Sequence, residues 1–356
     1  MSSWKHVEIT TDSGKTVDAV SPYILSVSRS TDIPTSYMEW FIARLKAGYC
    51  SWRNPFNNQV SYVSFNDCRF VVFWSKNPAT LLTTNVIDLL KERGIDFYLQ
   101  YTLNDYFDEG LEPKLQLPDD RMDLFRSLSQ KYGKERIIWR FDPLVLTDEV
   151  GIKELLNKIQ YVGDYIHNYT EKLVFSFVDV KRYPKVVNNL KYGGVKYKEW
   201  TNEQMLEFGE RLAELKKKSG WNIELATCCE PVDLAQFGIC HNKCVDDELI
   251  ARLAYNDKVL MDFLGMELHD VSENLLDADV PAGAIDLGNG MYIKRTRGNK
   301  DSGQREFCGC VMSKDIGQYN TCINGCKYCY ANSDHGDALC NYKRWRVYRT
   351  RDRIVE

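Results

Sequence analysis

The chain has 356 residues, 44% of them hydrophobic and 12% aromatic, so it can bury a large core as one big domain or two smaller ones. Its 50 acidic and 46 basic residues give a net charge of −4, which argues against a protein that binds polyanions over its whole surface. The longest apolar run near a strand, at 70–74, is too short to cross a bilayer, and the N-terminus lacks the apolar segment of a secretory signal. We therefore expect a cytoplasmic protein with no membrane part.

Residues 1–21 predict a hairpin around Asp12-Ser13-Gly14, which we expect to be an appendage. From residue 22 onward, strand-like and helix-like patterns alternate six times. The strand-like runs lie at 23–28, 70–74, 97–103, 136–141, 172–178 and 222–227. The helical patterns lie at 33–47, 79–92, 119–132, 150–166, 202–219 and 246–255.

Six βα units in series predict an α/β fold with a parallel sheet and right-handed crossovers. Six units are fewer than the eight of a closed (β/α)8 barrel, so we expect a partial (β/α)6 TIM-like barrel over residues 22–256. A doubly wound open sheet is the alternative. The alternation then ends. We expect residues 257–341 to form a cysteine-rich, cluster-binding segment packed on the barrel, and residues 342–356 to form a basic tail.

Charged side chains follow the predicted strands at the ends where parallel βα folds place functional groups. They are Arg29, Lys76, Arg140, Asp142 and Asp179. Packing of apolar strands does not explain charges at equivalent strand ends. We therefore predict that these five side chains form a rim at one edge of the sheet, and that this rim suits a cofactor with carboxylate, amine and ribose groups. For any one residue, a helix cap or an ion pair is the alternative. Arg140 and Asp142 can pair with each other because alternate strand residues point the same way.

Twelve cysteines, most of them in the second half of the chain, indicate metal binding or redox chemistry in a reducing compartment. Cys322, Cys326 and Cys329 are spaced Cys-x3-Cys-x2-Cys. Zinc sites commonly use two Cys-x2-Cys pairs, and the fourth ligand here would be an irregular one, Cys340 or His335. Three thiolates from one tight loop instead suit a [4Fe–4S] cluster with one iron left open.

The stretch CINGCKYCYAN resembles the signature of the radical S-adenosylmethionine (radical SAM) superfamily, with Tyr328 as its aromatic residue. Longer stretches extend the likeness: SVSRSTDIP, RNPFN, VFWSKNP, WRFDP, CGC and DIGQYNTCINGCKYCYAN. Together they resemble the domain of unknown function family 1848 (DUF1848), a radical-SAM-like group, from about residue 22 to residue 332.

This resemblance implies that an open iron would bind the amino and carboxylate groups of S-adenosylmethionine. A reductant such as ferredoxin or flavodoxin would supply one electron, and cleavage to a 5′-deoxyadenosyl radical would act on an unknown substrate. The usual motif follows the first strand, whereas this one follows the last βα unit. We therefore expect cofactor binding to fall on the charged rim.

The resemblance also implies a second set of cysteines. They are Cys228, Cys244, Cys308 and Cys310. These four would hold an auxiliary iron–sulfur cluster or zinc, and a site without metal is the remaining alternative. Cys229 or Cys240 could replace one of the ligands.

Two other functions stay open. One is a non-catalytic protein in which an iron–sulfur cluster or zinc serves structure or redox sensing. The other is a nucleic-acid-modifying or repair enzyme that uses the same radical chemistry and holds its substrate with the basic tail, where cations alternate with Trp345 and Tyr348. A solvated terminal segment explains that tail more simply, so nucleic acid is not the favoured partner.

Overall fold

The computed structural model describes residues 4–54, 57–273, 280–288 and 290–355. Pro55 and Phe56 of the RNPFN stretch, and part of the predicted cysteine-rich segment, lie outside the described residues. Within the described part, no helix is both long enough and apolar enough to span a bilayer.

The strands, in chain order, are β1 (His6–Thr10), β2 (Thr16–Val20), β3 (Ile24–Val27), β4 (Tyr49–Arg53), β5 (Val60–Ser64), β6 (Phe70–Ser75), β7 (Asp96–Thr102), β8 (Ile137–Leu144), β9 (Leu146–Thr147), β10 (Lys172–Phe177), β11 (Tyr197–Lys198), β12 (Glu224–Thr227), β13 (Ile239–His241), β14 (Met266–Asp270), β15 (Ile285–Asp286), β16 (Met291–Arg295) and β17 (Lys314–Asp315). The α-helices are α1 (Ile33–Ser36), α2 (Met38–Ala47), α3 (Thr80–Thr83), α4 (Val86–Glu92), α5 (Pro118–Tyr132), α6 (Ile152–Ile166), α7 (Pro184–Tyr192), α8 (Asn202–Ser219), α9 (Asp247–Ala254), α10 (Lys258–Leu264) and α11 (His335–Trp345).

One large parallel sheet organises this mixed α/β fold. Its eight strands lie in the order β13-β12-β10-β8-β7-β6-β3-β17, and every neighbouring pair is parallel. From β3 to β13 this order follows the chain, without the reversal that marks a doubly wound sheet. The late strand β17 joins the β3 edge, so the segment just before the Cys-x3-Cys-x2-Cys motif is part of the sheet.

The six predicted strands correspond to β3, β6, β7, β8, β10 and β12. The predicted helix at 33–47 is divided at Tyr37 into α1 and α2, and the one at 79–92 is divided into α3 and α4. Helix α8 begins at a capping box, in which Thr201 Oγ1 accepts from the Gln204 amide at 3.2 Å. Helices α7, α10 and α11 were not predicted.

Both faces of the large sheet are buried, which explains why its strands read as nearly continuous apolar runs. Successive strand residues point to opposite faces, so Leu25 and Val71 pack with the layer of helices that includes α2, α4, α5, α6 and α8. Ile24, Val72 and Val174 pack on the other face with α9, α10 and the sheet β14-β16-β15.

The two ends of the chain both pack on this framework. The predicted hairpin is β1–β2, and it belongs to a four-stranded sheet with the order β1-β2-β5-β4. The tail is not a free solvated segment, because Trp345 and Ile354 are buried. Helix α2 binds it through Trp40 Nε1, which donates to the Arg351 carbonyl at 3.0 Å, and Arg44 Nη2, which donates to the Thr350 carbonyl at 2.7 Å.

Candidate functional site

The cysteine loop, residues 321–332, lies against the carboxyl ends of β3, β6 and β7. Hydrogen bonds hold it at both ends: Tyr37 Oη donates to the Thr321 carbonyl at 2.8 Å, and Asn189 Nδ2 donates to the Cys329 carbonyl at 2.8 Å. Asn332 Nδ2 closes the loop on itself by donating to the Cys322 carbonyl at 2.7 Å. These hydrogen bonds therefore fix the loop in place.

Asp32 connects this loop to two strand ends. Its Oδ1 caps α1 by accepting from the Thr35 amide at 3.0 Å, and it also accepts from Ser75 Oγ at 2.7 Å. Its Oδ2 accepts from the Lys76 amide at 2.8 Å and from Asn324 Nδ2 at 2.9 Å. One buried carboxylate thus fixes the end of β3, the end of β6 and the middle of the cysteine loop.

Burial makes the three loop thiols poor acids. Burial raises the pKa of Cys322 to about 12, and Asp32 and Cys329 add to the rise. Burial also raises the pKa values of Cys326 and Cys329, although Lys76 lowers both. The Asn332 amide donates to Cys329 Sγ at 3.3 Å, a bond that tunes iron–sulfur ligands. Metal binding here would release protons, because thiolates are the ligands.

A buried polar network fastens Tyr328, the aromatic residue of the motif. Glu112, whose side chain is 2% exposed, accepts from Lys76 Nζ at 2.6 Å and from Arg121 Nη1 at 3.2 Å. Tyr328 Oη donates to the same carboxylate, and Asn104 Nδ2 lies 3.0 Å from Tyr328 Oη. Burial raises the pKa of Glu112, but Lys76 and Arg121 lower it more, so the net shift is downward. The phenol ring is therefore fixed to two strand ends.

Glu112 and Arg121 were missed from sequence. Glu112 lies in the loop after β7 rather than at a strand end, which was the position the prediction relied on. Arg121 gave a weak signal, because a cation near the first turn of a helix opposes the helix dipole unless a carboxylate pairs with it.

The second set of cysteines comes together from three separate segments of the chain. It lies on the face of the large sheet that packs against α9 and α10. Cys228 Sγ and Cys244 Sγ are 3.1 Å apart, and Cys310 hydrogen-bonds to Cys244 and to Cys308. Hydrogen bonds from Cys228 and Cys310 hold the pKa of Cys244 well below its ordinary value. A hydrogen bond from Cys310 lowers the pKa of Cys308 to about 6. The four thiols expected together are therefore neighbours, and hydrogen bonds within the group lower the pKa values of Cys244 and Cys308.

Cys229 and Cys240, considered as replacements, are placed differently. Cys229 is buried and has a positive φ of 61°, and Cys240 is exposed. Across the described ranges, no three histidine, cysteine, aspartate or glutamate side chains are arranged to hold a single metal ion. A four-iron cluster is wider than one ion and so separates its thiolate ligands further. At the cysteine loop, the buried sulfur donors, the N–H···S bond from the Asn332 amide and the nearby Lys76 fit such a group. In the second set, the sulfurs of Cys228 and Cys244, which are 3.1 Å apart, would have to separate to hold one.

Arg140 connects the second set to the rim. Its side chain is 3% exposed, and Nη2 lies 2.5 Å from Asp142 Oδ2, so the pairing of these two residues agrees with the sequence prediction. Its Nη1 donates to Gln100 Oε1 at 3.2 Å and to Cys244 Sγ at 3.2 Å. Ser176 Oγ donates to the other oxygen of Asp142.

Trp74 lies between the two sites. The Arg29 guanidinium is 5.9 Å from the centre of its ring and the Arg140 guanidinium is 5.4 Å from it. Its indole N–H is buried and has no acceptor among the described residues. Arg29 is also fixed by Asp315, whose Oδ2 accepts from the Arg29 amide at 2.7 Å. At this part of the rim, the Arg29 and Arg140 guanidinium groups therefore lie beside an indole N–H that has no acceptor among the described residues.

Four of the five predicted cofactor residues, Arg29, Lys76, Arg140 and Asp142, thus lie in these networks. Asp179 does not share their bonds: it is exposed and accepts from the Arg182 amide at 3.2 Å in a local turn. A carboxyl outside the five predicted cofactor residues, Glu230, accepts from the Phe177 amide at 3.0 Å. Burial raises its pKa to about 8. Its position after the Cys228-Cys229 pair at the end of β12 was the available signal.

Comparison with known proteins gives one family match. The model of the family described as "Domain of unknown function (DUF1848)" matches residues 24–331. No curated protein matches the chain significantly. A crystal structure of a protein described as an alpha-L-fucosidase from Bacteroides thetaiotaomicron shares 11% identity, covers 56% of this chain and 84% of its own, and has a TM-score of 0.24. That score is too low for the likeness to inform the fold or the function.

Proposed function

The chain belongs to the DUF1848 family, and we propose that it is a radical-SAM-like iron–sulfur enzyme. The observation that carries the proposal is the cysteine loop itself. Cys322, Cys326 and Cys329 lie on a loop that buried hydrogen bonds fix against the polar ends of three parallel strands. Three thiolates held this way leave one iron of a [4Fe–4S] cluster free for a second ligand.

A curved sheet, the partial (β/α)6 barrel, is the arrangement that we infer around this loop. The strand order runs from β3 to β13 without reversal, and among the described strands β13 and β17 remain unpaired edges. Helices α2, α4, α5, α6 and α8 all pack on one face of this sheet. Covering one face with the crossover helices supports a sheet that curls away from them.

When bound, the cluster would supply one electron and a coordination site for the amino and carboxylate groups of S-adenosylmethionine, whose cleavage gives a 5′-deoxyadenosyl radical. The chain's own residues would hold and orient that cofactor. Arg29 and the indole N–H of Trp74 suit its carboxylate or ribose oxygens, and Asp142 suits its amino group. Lys76 lies beside Tyr328 and offsets the charge of the loop thiolates. Asp179 is left out, because its contacts are those of a surface turn.

For the second set of cysteines we propose an auxiliary iron–sulfur cluster, with zinc as the alternative. Cys244 accepts hydrogen bonds from Arg140 Nη1 and from Asn242 Nδ2, each at 3.2 Å. The Val245 amide donates to Cys310 Sγ at 3.2 Å. Such donors stabilise thiolates that carry a metal. We propose a cytoplasmic enzyme that takes its electron from a ferredoxin or flavodoxin.

Iron and sulfide analysis after anaerobic reconstitution tests this proposal. We expect about four iron atoms per chain if only the cysteine loop holds a cluster, and about eight if both sets do. Changing Cys322, Cys326 and Cys329 together to Ala should remove about four of them. The matched control is Cys340→Ala, at an exposed cysteine on α11 close in sequence to the loop. Stoichiometric zinc without iron would contradict the proposal, and iron without cleavage of S-adenosylmethionine would favour redox sensing.

A further inference from the structure

Between the two cysteine sites lies a group of aromatic and cationic side chains, which we name the mouth patch. It consists of Tyr183, Lys185, Arg305, Tyr319 and Tyr330. Arg305 Nη1 lies 3.2 Å from Tyr183 Oη, and the rings of Tyr183 and Tyr330 have centres 6.3 Å apart. Lys185 Nζ is 4.7 Å from the centre of the Tyr319 ring. Residues from α7, from the loop before β17 and from either side of the motif thus form one surface.

The two cations of the mouth patch interact electrostatically with cysteines of both sites. Burial lowers the pKa of Lys185, and the nearby Cys329 thiolate opposes that fall. Arg305 lies within the fields of Cys228 and Cys308, which help to raise its pKa against the effect of burial. Tyr330 follows Cys329 directly and donates to the Arg29 carbonyl. A molecule bound at this patch would therefore lie beside the proposed reaction centre.

The two cations of the patch form no ion pair at close range. Within the part of the chain that the structure describes, no aspartate or glutamate oxygen lies within 4.0 Å of the charged nitrogens of Lys185 or Arg305. Glu230 interacts electrostatically with Arg305 from further away. Tyr330 is 46% exposed, and Tyr183 and Tyr319 are half-buried. Balancing the charge of nearby thiolates would explain the cations, but it would not explain three tyrosines gathered around them. Cations without a close carboxylate, among rings that are at least partly accessible, suit a ligand that is both anionic and flat.

We propose that the mouth patch binds a nucleotidyl group, with its base on the tyrosine rings and its phosphate on Lys185 and Arg305. Stacking on aromatic side chains and ion pairs with phosphate are the two interactions that hold single-stranded nucleic acids and nucleotides. The net charge of −4 does not oppose this, because the patch is locally cationic. In the basic tail, Trp345 is buried against Tyr37, so Tyr348 is the one of its two named aromatic side chains that is exposed.

A nucleotidyl group would be the substrate class of the proposed enzyme, and only its reaction rests on the proposed function. Binding itself needs no cluster. The ligand could be a free nucleotide or part of a single strand, and both present the same phosphate and base. Affinity for thymidine monophosphate and for oligothymidylate of about 12 nucleotides separates the two sources.

Fluorescence anisotropy with labelled oligothymidylate, and competition by thymidine monophosphate, test the proposal on the full chain. Tyr183→Ala should weaken binding roughly 5-fold to 100-fold. Arg305→Gln should weaken it and lower the slope of log K against log salt by about 0.7 if a strand is bound. Matched controls lie at the other end of α7: Tyr192→Ala, at a residue 86% exposed, and Lys191→Gln should each leave affinity unchanged.

The outcomes separate this inference from the proposed function. Loss of affinity in Tyr183→Ala and Arg305→Gln but not in the two controls supports it, with competition by the mononucleotide showing which source is used. Equal losses in the controls, or no binding of either probe tighter than about 1 mM, would overturn it. Binding that persists when Cys322, Cys326 and Cys329 are all changed to Ala, while cleavage of S-adenosylmethionine is lost, shows that the patch acts independently of the cluster. Cleavage by a wild-type protein that binds neither probe overturns the patch alone.

Discussion

The buried ion network at Glu112 makes the sharpest prediction about stability. Glu112 faces two cations, Lys76 and Arg121, and its side chain is 2% exposed. Glu112→Gln keeps the shape of the side chain but removes its charge. Two buried cations then lose their counterion, and Tyr328 loses a charged acceptor.

The magnitude follows from that loss. Removing one partner of a buried ion pair costs about 3–5 kcal/mol of unfolding free energy, because the remaining charge stays desolvated. The cost should depend on pH. The pKa of Glu112 is lowered in the folded state, so its stabilisation is present above the ordinary carboxyl value of about 4.3 and is lost as pH falls through the folded-state value. The difference between Glu112→Gln and wild type should therefore shrink in acid.

Guanidinium unfolding of both proteins, followed by circular dichroism at several pH values, measures this difference. Glu207→Gln is the matched control, since Glu207 is 52% exposed and pairs with Arg211 at 2.8 Å on the surface of α8. We expect that control to lie within about 0.5 kcal/mol of wild type. If Glu112→Gln were no more destabilised than Glu207→Gln near neutral pH, the argument from the buried network would be refuted.

Three further predictions concern the supports of the site. Asp32→Ala removes the carboxylate that accepts from four donors, so the unfolding free energy should fall by at least about 2 kcal/mol. The reconstituted variant should also retain less iron than wild type. Unchanged iron content would contradict the role of Asp32 in anchoring the cysteine loop. Gly317→Ala would place a Cβ 1.9 Å from a serine hydroxyl beneath the loop, which should cost about 1–3 kcal/mol, whereas Gly298→Ala meets nothing within 4 Å and serves as its control in thermal melts. Asp247→Asn should weaken the contact of α9 with Arg295, whose Nη1 lies 2.5 Å from the Asp247 carboxylate. Because the pKa of Asp247 is lowered in the folded protein, the loss of unfolding free energy should be present near neutral pH and should fade when unfolding is measured in acid.

The sequence predicted the sheet well for a physical reason. Strands buried on both faces read as short apolar runs, and β6 and β8 are examples. The break between α1 and α2 was not predicted, because the same apolar face continues through Tyr37. Helix α7 was missed because it is short and polar, with Pro184 at its start.

The candidate site was predictable only in part, because its key contacts join distant segments. Asp32 caps helix α1, but its bond to Asn324 spans 292 residues and leaves no local pattern. Strand ends pointed to Arg140 and Lys76, and these side chains contact Cys244 and Tyr328. The same reasoning placed Asp179 on the rim, although the chain turns outward there and leaves it exposed. Glu112 has no strand-end signal, so its role is visible only in three dimensions.

The two cysteine sites differ in how they form. Cys322, Cys326 and Cys329 belong to one loop, so spacing alone suggested them. Cys228 and Cys244 are contributed by different segments and approach to 3.1 Å only after β12 and β13 pair. The second site should therefore depend more strongly on the stability of the whole fold.

The central claim is tested most directly by cleavage of S-adenosylmethionine. Reconstituted wild-type protein, reduced anaerobically with dithionite, should form 5′-deoxyadenosine with repeated turnover or at least in proportion to its iron. Cys326→Ser should abolish the product, and Cys340→Ser, at an exposed position, should not. Absence of 5′-deoxyadenosine from iron-loaded wild-type protein, or equal formation by Cys326→Ser, would contradict the account.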